Sequence, residues 1–210
     1  MRFDLSLYLV LDPGLCAAAG MVETARAAVA GGATIVQLRD KRGTTAGRIA
    51  AGRALKAALA PTGALLIVND DVEAAMAIGA DGLHIGQDDF APHAARARIG
   101  RDMVLGVSAE TEALAAGIDA QIVDYAGLGP VFATPTKPDH KQPAGLDGLA
   151  RLVAASPVPS VAIGGLKAGH AAAVLATGAH GLAVVSAICG QPDPQAAARR
   201  IADEIEAWRR

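Results

Sequence analysis

Gly79-Ala80-Asp81-Gly82-Leu83-His84-Ile85 is the end of one helix and the start of one strand within seven residues. Glycine at a helix C-terminus accepts positive φ, and a small alanine after it lets the chain turn straight back into a sheet. The connector recurs as Gly32-Ala33-Thr34-Ile35-Val36 and as Gly178-Ala179-His180-Gly181-Leu182. One copy is a common helix-to-strand turn; three in register form an internal repeat. Around them, short β-branched runs alternate with loops and alanine-rich helical stretches along the whole chain, the pattern of parallel βα units. The predicted strands are Ser6 to Leu11, Ile35 to Leu38, Leu65 to Val68, Gly82 to Ile85, Met103 to Val107, Ile122 to Leu128, Val158 to Ile163 and Gly181 to Val185. Helices are predicted to begin near Val22, Thr44, Asp71, Pro92, Glu110, Leu146, Lys167 and Pro194. Eight such units in 210 residues predict an α/β fold, a compact (β/α)8 TIM barrel forming a single domain over residues 1–210. An open doubly wound sheet is the alternative, but no glycine-rich dinucleotide fingerprint follows the first strand.

Composition narrows the function. The chain is 52% apolar and 19% charged, enough for one sizeable core. With 19 basic against 21 acidic residues and a net charge of −2, there is no bulk field for nucleic acid or anionic lipid. Only 3% is aromatic, so no stacking platform for bases is expected. Cys16 and Cys189 lie far apart and lack metal-ligand spacing, as expected of reduced thiols in a cytoplasmic protein. The first apolar run ends at Asp12-Pro13, which fits neither a signal peptide nor an anchor. The richest apolar stretch, Val158 to Cys189, is broken by Lys167, His170 and His180, so no membrane span is expected. An alanine-rich helix face is compatible with a homo-oligomer as well as with packing on the barrel.

A barrel builds its active site from residues just after its strands. Four of the five lysines, Lys41, Lys137, Lys141 and Lys167, fall in or near those loops, while fourteen arginines carry the ordinary surface charge. A compact ammonium suits a phosphate oxygen, and Lys41 and Lys137 are the expected ligands. Asp70-Asp71 and Asp88-Asp89 follow adjacent strands. Asp71 and Asp88 read as helix N-caps, and Asp70 and Asp89 as oxygen ligands for Mg2+ carrying a polyphosphate. Gly164-Gly165 and Val185-Ser186 end strands seven and eight, where barrels often hold a phosphate monoester through backbone N–H groups. Two anionic sites on one rim imply two small-molecule substrates.

With these loops in hand, the sequence resembles the thiamine phosphate synthase family over nearly its whole length. The resemblance rests on Tyr8-Leu9-Val10, Gln37-Leu38-Arg39-Asp40-Lys41, Asn69-Asp70, Gly82 to Asp89, Gly106-Val107-Ser108, Asp124-Tyr125, Gly129 to Phe132, Thr134-Pro135-Thr136-Lys137, Ile163-Gly164-Gly165 and Val185-Ser186. It implies a (β/α)8 enzyme that joins a hydroxymethylpyrimidine diphosphate to a hydroxyethylthiazole phosphate, releasing diphosphate and forming thiamine monophosphate. It assigns Gln37, Arg39, Lys41, Asn69, Ser108 and Lys137 to the pyrimidine diphosphate, with Arg39, Lys41, Lys137 and Ser108 as the catalytic groups. Asp70 and Asp89 would hold Mg2+, and Thr134, Thr136, Gly164, Gly165, Val185 and Ser186 the thiazole phosphate. It also implies a dissociative substitution that needs no nucleophilic side chain. The long segment from Pro130 to Gly145, rich in Thr, Pro and Lys, is expected to form a lid over both substrates.

Two other readings share the scaffold. A related barrel subfamily isomerises a thiazole and uses a histidine shortly after strand five; Ser108-Ala109-Glu110 offers none. The other is a phosphometabolite sensor without catalysis, which turnover separates. His84 is expected in the barrel or its wall in a hydrogen-bonded role, and Glu110 in the first turn of a helix.

Overall fold

The computed structural model describes residues 3–16, 18–87, 90–134 and 142–210. Among them, strands alternate strictly with helices: β1 Leu7–Leu11, α1 Met21–Ala30, β2 Ile35–Leu38, α2 Thr45–Leu59, β3 Leu65–Asn69, α3 Val72–Ile78, β4 Gly82–Ile85, α4 Pro92–Ile99, β5 Val104–Ala109, α5 Glu112–Ala116, β6 Tyr125–Leu128, α6 Gly145–Ala155, β7 Ser160–Ile163, α7 Ala171–Leu175, β8 Gly181–Val184 and α8 Pro194–Arg209. All neighbouring strands are parallel, and β8 pairs back onto β1 through Leu182 against Leu7 and Val184 against Leu9, closing the barrel.

The repeat does what its sequence requires. Gly32, Gly79 and Gly178 have φ of 110°, 66° and 91°. Ala33 and Ala80 send their N–H groups back five residues, to Ala28 and Ala75, both at 3.0 Å. This is a Schellman closure of the helix. The residue after the alanine then secures the floor of the barrel. Asp81 accepts from the Leu66 N–H at 2.8 Å, and His180 Nδ1 from the Ser160 N–H at 3.3 Å. Asp124, before β6, does the same for Leu105 at 2.8 Å and pairs with Arg96 at 2.6 Å. Side chains at this N-terminal end stitch strands together, and the active site of such a barrel lies at the opposite rim.

Alternation along each strand divides the core in two. Leu7, Leu9, Leu11, Val36, Leu38, Leu66, Val68, Leu83 and Leu105 face the helices. Tyr8, Val10, Ile35, Ile67, Val104, Tyr125, Val161 and Ala183 fill the barrel interior. Near-continuous apolar strands follow from burial on both faces.

Three of the boundaries that differ from the sequence reading have a visible cause. β6 starts at Tyr125 rather than Ile122, because Ile122 and Val123 turn their N–H groups back to Asp119 O, at 3.1 and 3.0 Å. α5 starts at Glu112, capped by Thr111, which leaves Glu110 ahead of the helix rather than in its first turn. α7 starts at Ala171 rather than near Lys167, because Gly169 has φ 89° and its N–H is held by Glu204 at 2.8 Å.

Asp71 caps α3, accepting from the Ala74 N–H at 2.9 Å, and meets Arg48 at 2.9 Å. Burial works against its charge, but the Ala74 N–H, the Thr45 hydroxyl and Arg48 outweigh that and hold its carboxyl below the ordinary range. A depressed folded-state pKa gives stability that is present above the unfolded value and lost as pH falls through the folded one. Asp71→Ala is therefore expected to cost about 1–2 kcal/mol at neutral pH. Urea unfolding at stepped pH checks this: the gap from the parent protein should close as the pH drops below about 4.

Candidate functional site

The strands' C-terminal ends surround one cavity of about 530 Å³. Gln37 reaches it from β2, with Arg39 and Lys41 from the loop that follows. β3 supplies Asn69 and Asp70, β5 Ser108, the segment after β6 Thr134, the loop after β7 Gly164 and Gly165, and the end of β8 Val185 and Ser186. Every described residue assigned to either substrate therefore lines the same space. Thr136, Lys137 and Asp89 lie outside the described residues, as do Asp88, read as a helix N-cap, and Lys141.

On the rim, Asp70 has φ 63°, a left-handed backbone that a non-glycine residue adopts at a cost and that clusters at functional sites. Its N–H donates to His84 O at 2.9 Å, and Asn69 Nδ2 donates to its Oδ1 at 2.7 Å. Lys41 Nζ is paired with its Oδ2. A carboxylate is thus held at the cavity mouth beside a cation.

Across the cavity, Gly164 and Gly165 have φ of 104° and 64°, and a Cβ on either would run into the chain from Pro130 to Ala133. The two loops lie backbone to backbone: Val131 N–H donates to Ile163 O at 2.9 Å and Phe132 N–H to Gly164 O at 3.0 Å. Ala144 and Gly145 return to Pro130 O and Val131 O at 2.9 and 3.0 Å. The segment expected to form a lid is therefore stitched at both ends, while residues 135–141 lie outside the described residues. After β8, Ile188 and Cys189 N–H groups bond Val185 O at 3.1 and 2.9 Å, winding a turn in which Val185, Ser186 and Ala187 line the cavity.

The barrel floor beneath the cavity is polar. Gln37 Nε2 donates to Tyr8 Oη at 2.8 Å, Tyr8 Oη lies 2.8 Å from Tyr125 Oη, and Tyr125 Oη lies 2.9 Å from His84 Nδ1. His84 Nε2 is 3.0 Å from Ser108 Oγ, and Gln87 Nε2 contacts Ser108 O. Burial pushes both phenols up, so they stay protonated. Tyr8, His84, Glu110, Gly127, Lys167 and Gln191 also line the cavity. Sequence reasoning gave none of them a substrate role. Glycines inside strands, Gly106 and Gly127, were the available signal, since a missing side chain in a strand often marks a close approach.

Cys16 and Cys189 are both buried and free. Though remote in sequence, they meet: the Cys189 S–H lowers the Cys16 pKa, while the same contact and burial raise that of Cys189.

Cationic groups, a strained carboxylate and a glycine-lined loop on one barrel rim define a (β/α)8 enzyme that handles phosphorylated substrates. The family model described as thiamine monophosphate synthase matches residues 7–188, and the chain belongs to that family. A thiamine-phosphate synthase of Azorhizobium caulinodans is 48% identical over 208 residues, covering 99% of this chain and 98% of the relative. Another from Xanthobacter autotrophicus is 49% identical over 207 residues, covering 99% and 98%. Among solved structures, a thiamine phosphate pyrophosphorylase from Pyrococcus furiosus superposes with a TM-score of 0.87 at 33% identity, covering 97% of this chain and 96% of that one.

Proposed function

We propose that the pyrimidine diphosphate lies over the loops after β2 to β6 and the thiazole phosphate over those after β7 and β8. The reaction is that of the family: hydroxymethylpyrimidine diphosphate and hydroxyethylthiazole phosphate give thiamine monophosphate and diphosphate. What carries the site reading is that residues from six strand ends, chosen for two different anions, share a single cavity.

The donor chemistry at the rim fits Mg2+, which takes one or two carboxylates, keeps several waters and bridges to substrate phosphates. Asp70 presents its carboxylate at the cavity mouth, and Asp70 with Asp89 would hold the ion. When bound, Mg2+ neutralises charge on the diphosphate.

The protein's own groups do the rest. Arg39, Lys41 and Lys137 stabilise negative charge that grows on the leaving diphosphate as its bond to the pyrimidine methylene lengthens. Asn69 and Gln37 orient the pyrimidine half. Gly164, Gly165, Val185 and Ser186 seat the second substrate's phosphate on backbone N–H groups, with Thr134 and Thr136 beside it, which presents the thiazole nitrogen to the methylene. The cavity walls around Val161, Ile163 and Ala183 are apolar and keep water from the cationic intermediate. No covalent intermediate on the protein is needed. Both thiols, Cys16 and Cys189, are free, in keeping with a reducing cytoplasmic setting. No helix among the described residues is long and apolar enough to cross a membrane.

The test is a turnover assay on the purified protein with both substrates. Thiamine monophosphate and diphosphate are expected in equal amounts with Mg2+, and their formation should cease with a chelator and return on adding Mg2+. Binding of both substrates without product would assign the chain to the sensors instead.

A further inference from the structure

The five side chains on the barrel floor carry a direction, and resting on the reading that Ser108 faces the pyrimidine substrate, we propose that Gln37, Tyr8, Tyr125 and His84 are positioning residues that commit the Ser108 hydroxyl to donate into the cavity. The argument is a count of hydrogens. An amide nitrogen only donates, so the Gln37 Nε2 contact makes Tyr8 Oη an acceptor at that end. A phenol has one hydrogen, and burial keeps both phenols protonated. Among the hydrogen bonds of the described residues, Tyr125 Oη is the acceptor open to the Tyr8 hydrogen; placing it there leaves the Tyr125 hydrogen for His84 Nδ1, and either direction fits both distances. A neutral imidazole that accepts at Nδ1 carries its hydrogen on Nε2, where it meets Ser108 Oγ. Ser108 thus accepts from below, and its own hydrogen is directed at whatever acceptor the substrate offers.

The direction matters because Ser108, His84 and Tyr125 otherwise look like a nucleophile, its base and an orienting group. A His84 that already bears the Nε2 hydrogen is not a base for Ser108. It makes the serine a better donor, and a diphosphate oxygen, which only accepts, is the complementary partner. This agrees with a substitution that needs stabilisation of the leaving group and no attack by protein.

Two absences of side chain make room for the relay. Gly106 pairs with Tyr125 across β5 and β6, and a Cβ there would occupy the position of the Tyr125 ring. A Cβ on Gly127 would lie 3.2 Å from His84 Cε1. Gln37, Tyr8, Tyr125 and His84 are all buried, which strengthens the hydrogen bonds between them.

The experiment is 15N NMR of the imidazole nitrogens in the labelled full chain, with His84 assigned among the five histidines by comparison with His84→Gln. In the parent protein His84 is expected as the neutral form with its hydrogen on Nε2. In Tyr125→Phe, Nδ1 loses its donor, so both tautomers should appear and kcat should fall about 10- to 100-fold, with KM for the pyrimidine diphosphate changed far less. Tyr8→Phe breaks the relay one bond further out and should give the same mixing, which covers the case in which Tyr125→Phe does not fold. A hydrogen on Nδ1 in the parent protein would overturn the proposal, as would variants that keep the parent tautomer and kcat. Because the tautomer is read without turnover, its failure is distinct from failure of the transferase reading.

Discussion

Asp70→Asn is expected to lower kcat/KM for the pyrimidine diphosphate by about 10²- to 10³-fold, the scale of removing one preorganised electrostatic contact from a transition state. The half-maximal Mg2+ concentration should rise in the same variant. Asparagine is the right replacement because position 70 has φ 63°, where Asn is tolerated and Ala is strained by about 1–2 kcal/mol. The amide oxygen can still accept from Asn69, so the loss isolates the charge. Stability should change little. The Lys41 side chain is 51% exposed, and so open a pair contributes at most about 1 kcal/mol. A Mg2+ titration of initial rates, with unfolding curves as the control, makes the comparison. If the variant needs no more Mg2+ than the parent, Asp70 is not a ligand of the ion.

Gly106→Ala is expected to destabilise the barrel strongly through a single methyl group. The added carbon would meet Cζ, Cε1 and Oη of Tyr125. That ring is fully buried and fixed on three sides, with Phe3 at 5.9 Å, His84 at 5.5 Å and Tyr8 at 6.0 Å between ring centres. It has nowhere to go without breaking its bonds to Tyr8 and His84. Overpacking of this kind costs about 1–3 kcal/mol, and buried polar atoms left without partners add a similar amount. A loss of roughly 3 kcal/mol or more is expected, a large share of a typical domain's stability. Gly127→Ala, with its milder 3.2 Å approach to His84, should lose about 1 kcal/mol. Urea unfolding of the two variants ranks them; equal midpoints would remove the steric account.

What the sequence made legible was local or repeated. The Gly-Ala connectors fixed the phase of helix and strand, and once the strands were numbered their ends became a short catalogue of rim residues. Asp70 could be picked from its place after β3 on the same rim as Lys41, whereas the roles of Gln37, Asn69 and Ser108 came from the family resemblance. The floor relay was out of reach. Tyr8, Gln37, His84, Ser108 and Tyr125 come from five strands, and their mutual distances depend on barrel closure, which no spacing along the chain encodes. Glu110 was misread for a different reason. Thr111 competes with it as the start of α5 and wins, since a threonine hydroxyl can accept from the Leu114 N–H at 3.2 Å. The cysteines were thought remote because 173 positions separate Cys16 from Cys189 by subtraction, yet the seam between β1 and β8 brings them together.

That seam also governs how the chain is made. Leu9 waits for Val184 as its neighbour, so on the ribosome the first strand keeps one bare edge until β8 has emerged. Halting synthesis anywhere before β8 leaves a curved sheet with two unpaired margins, and the arrested fragment should aggregate or bind chaperones more than a chain that includes β8.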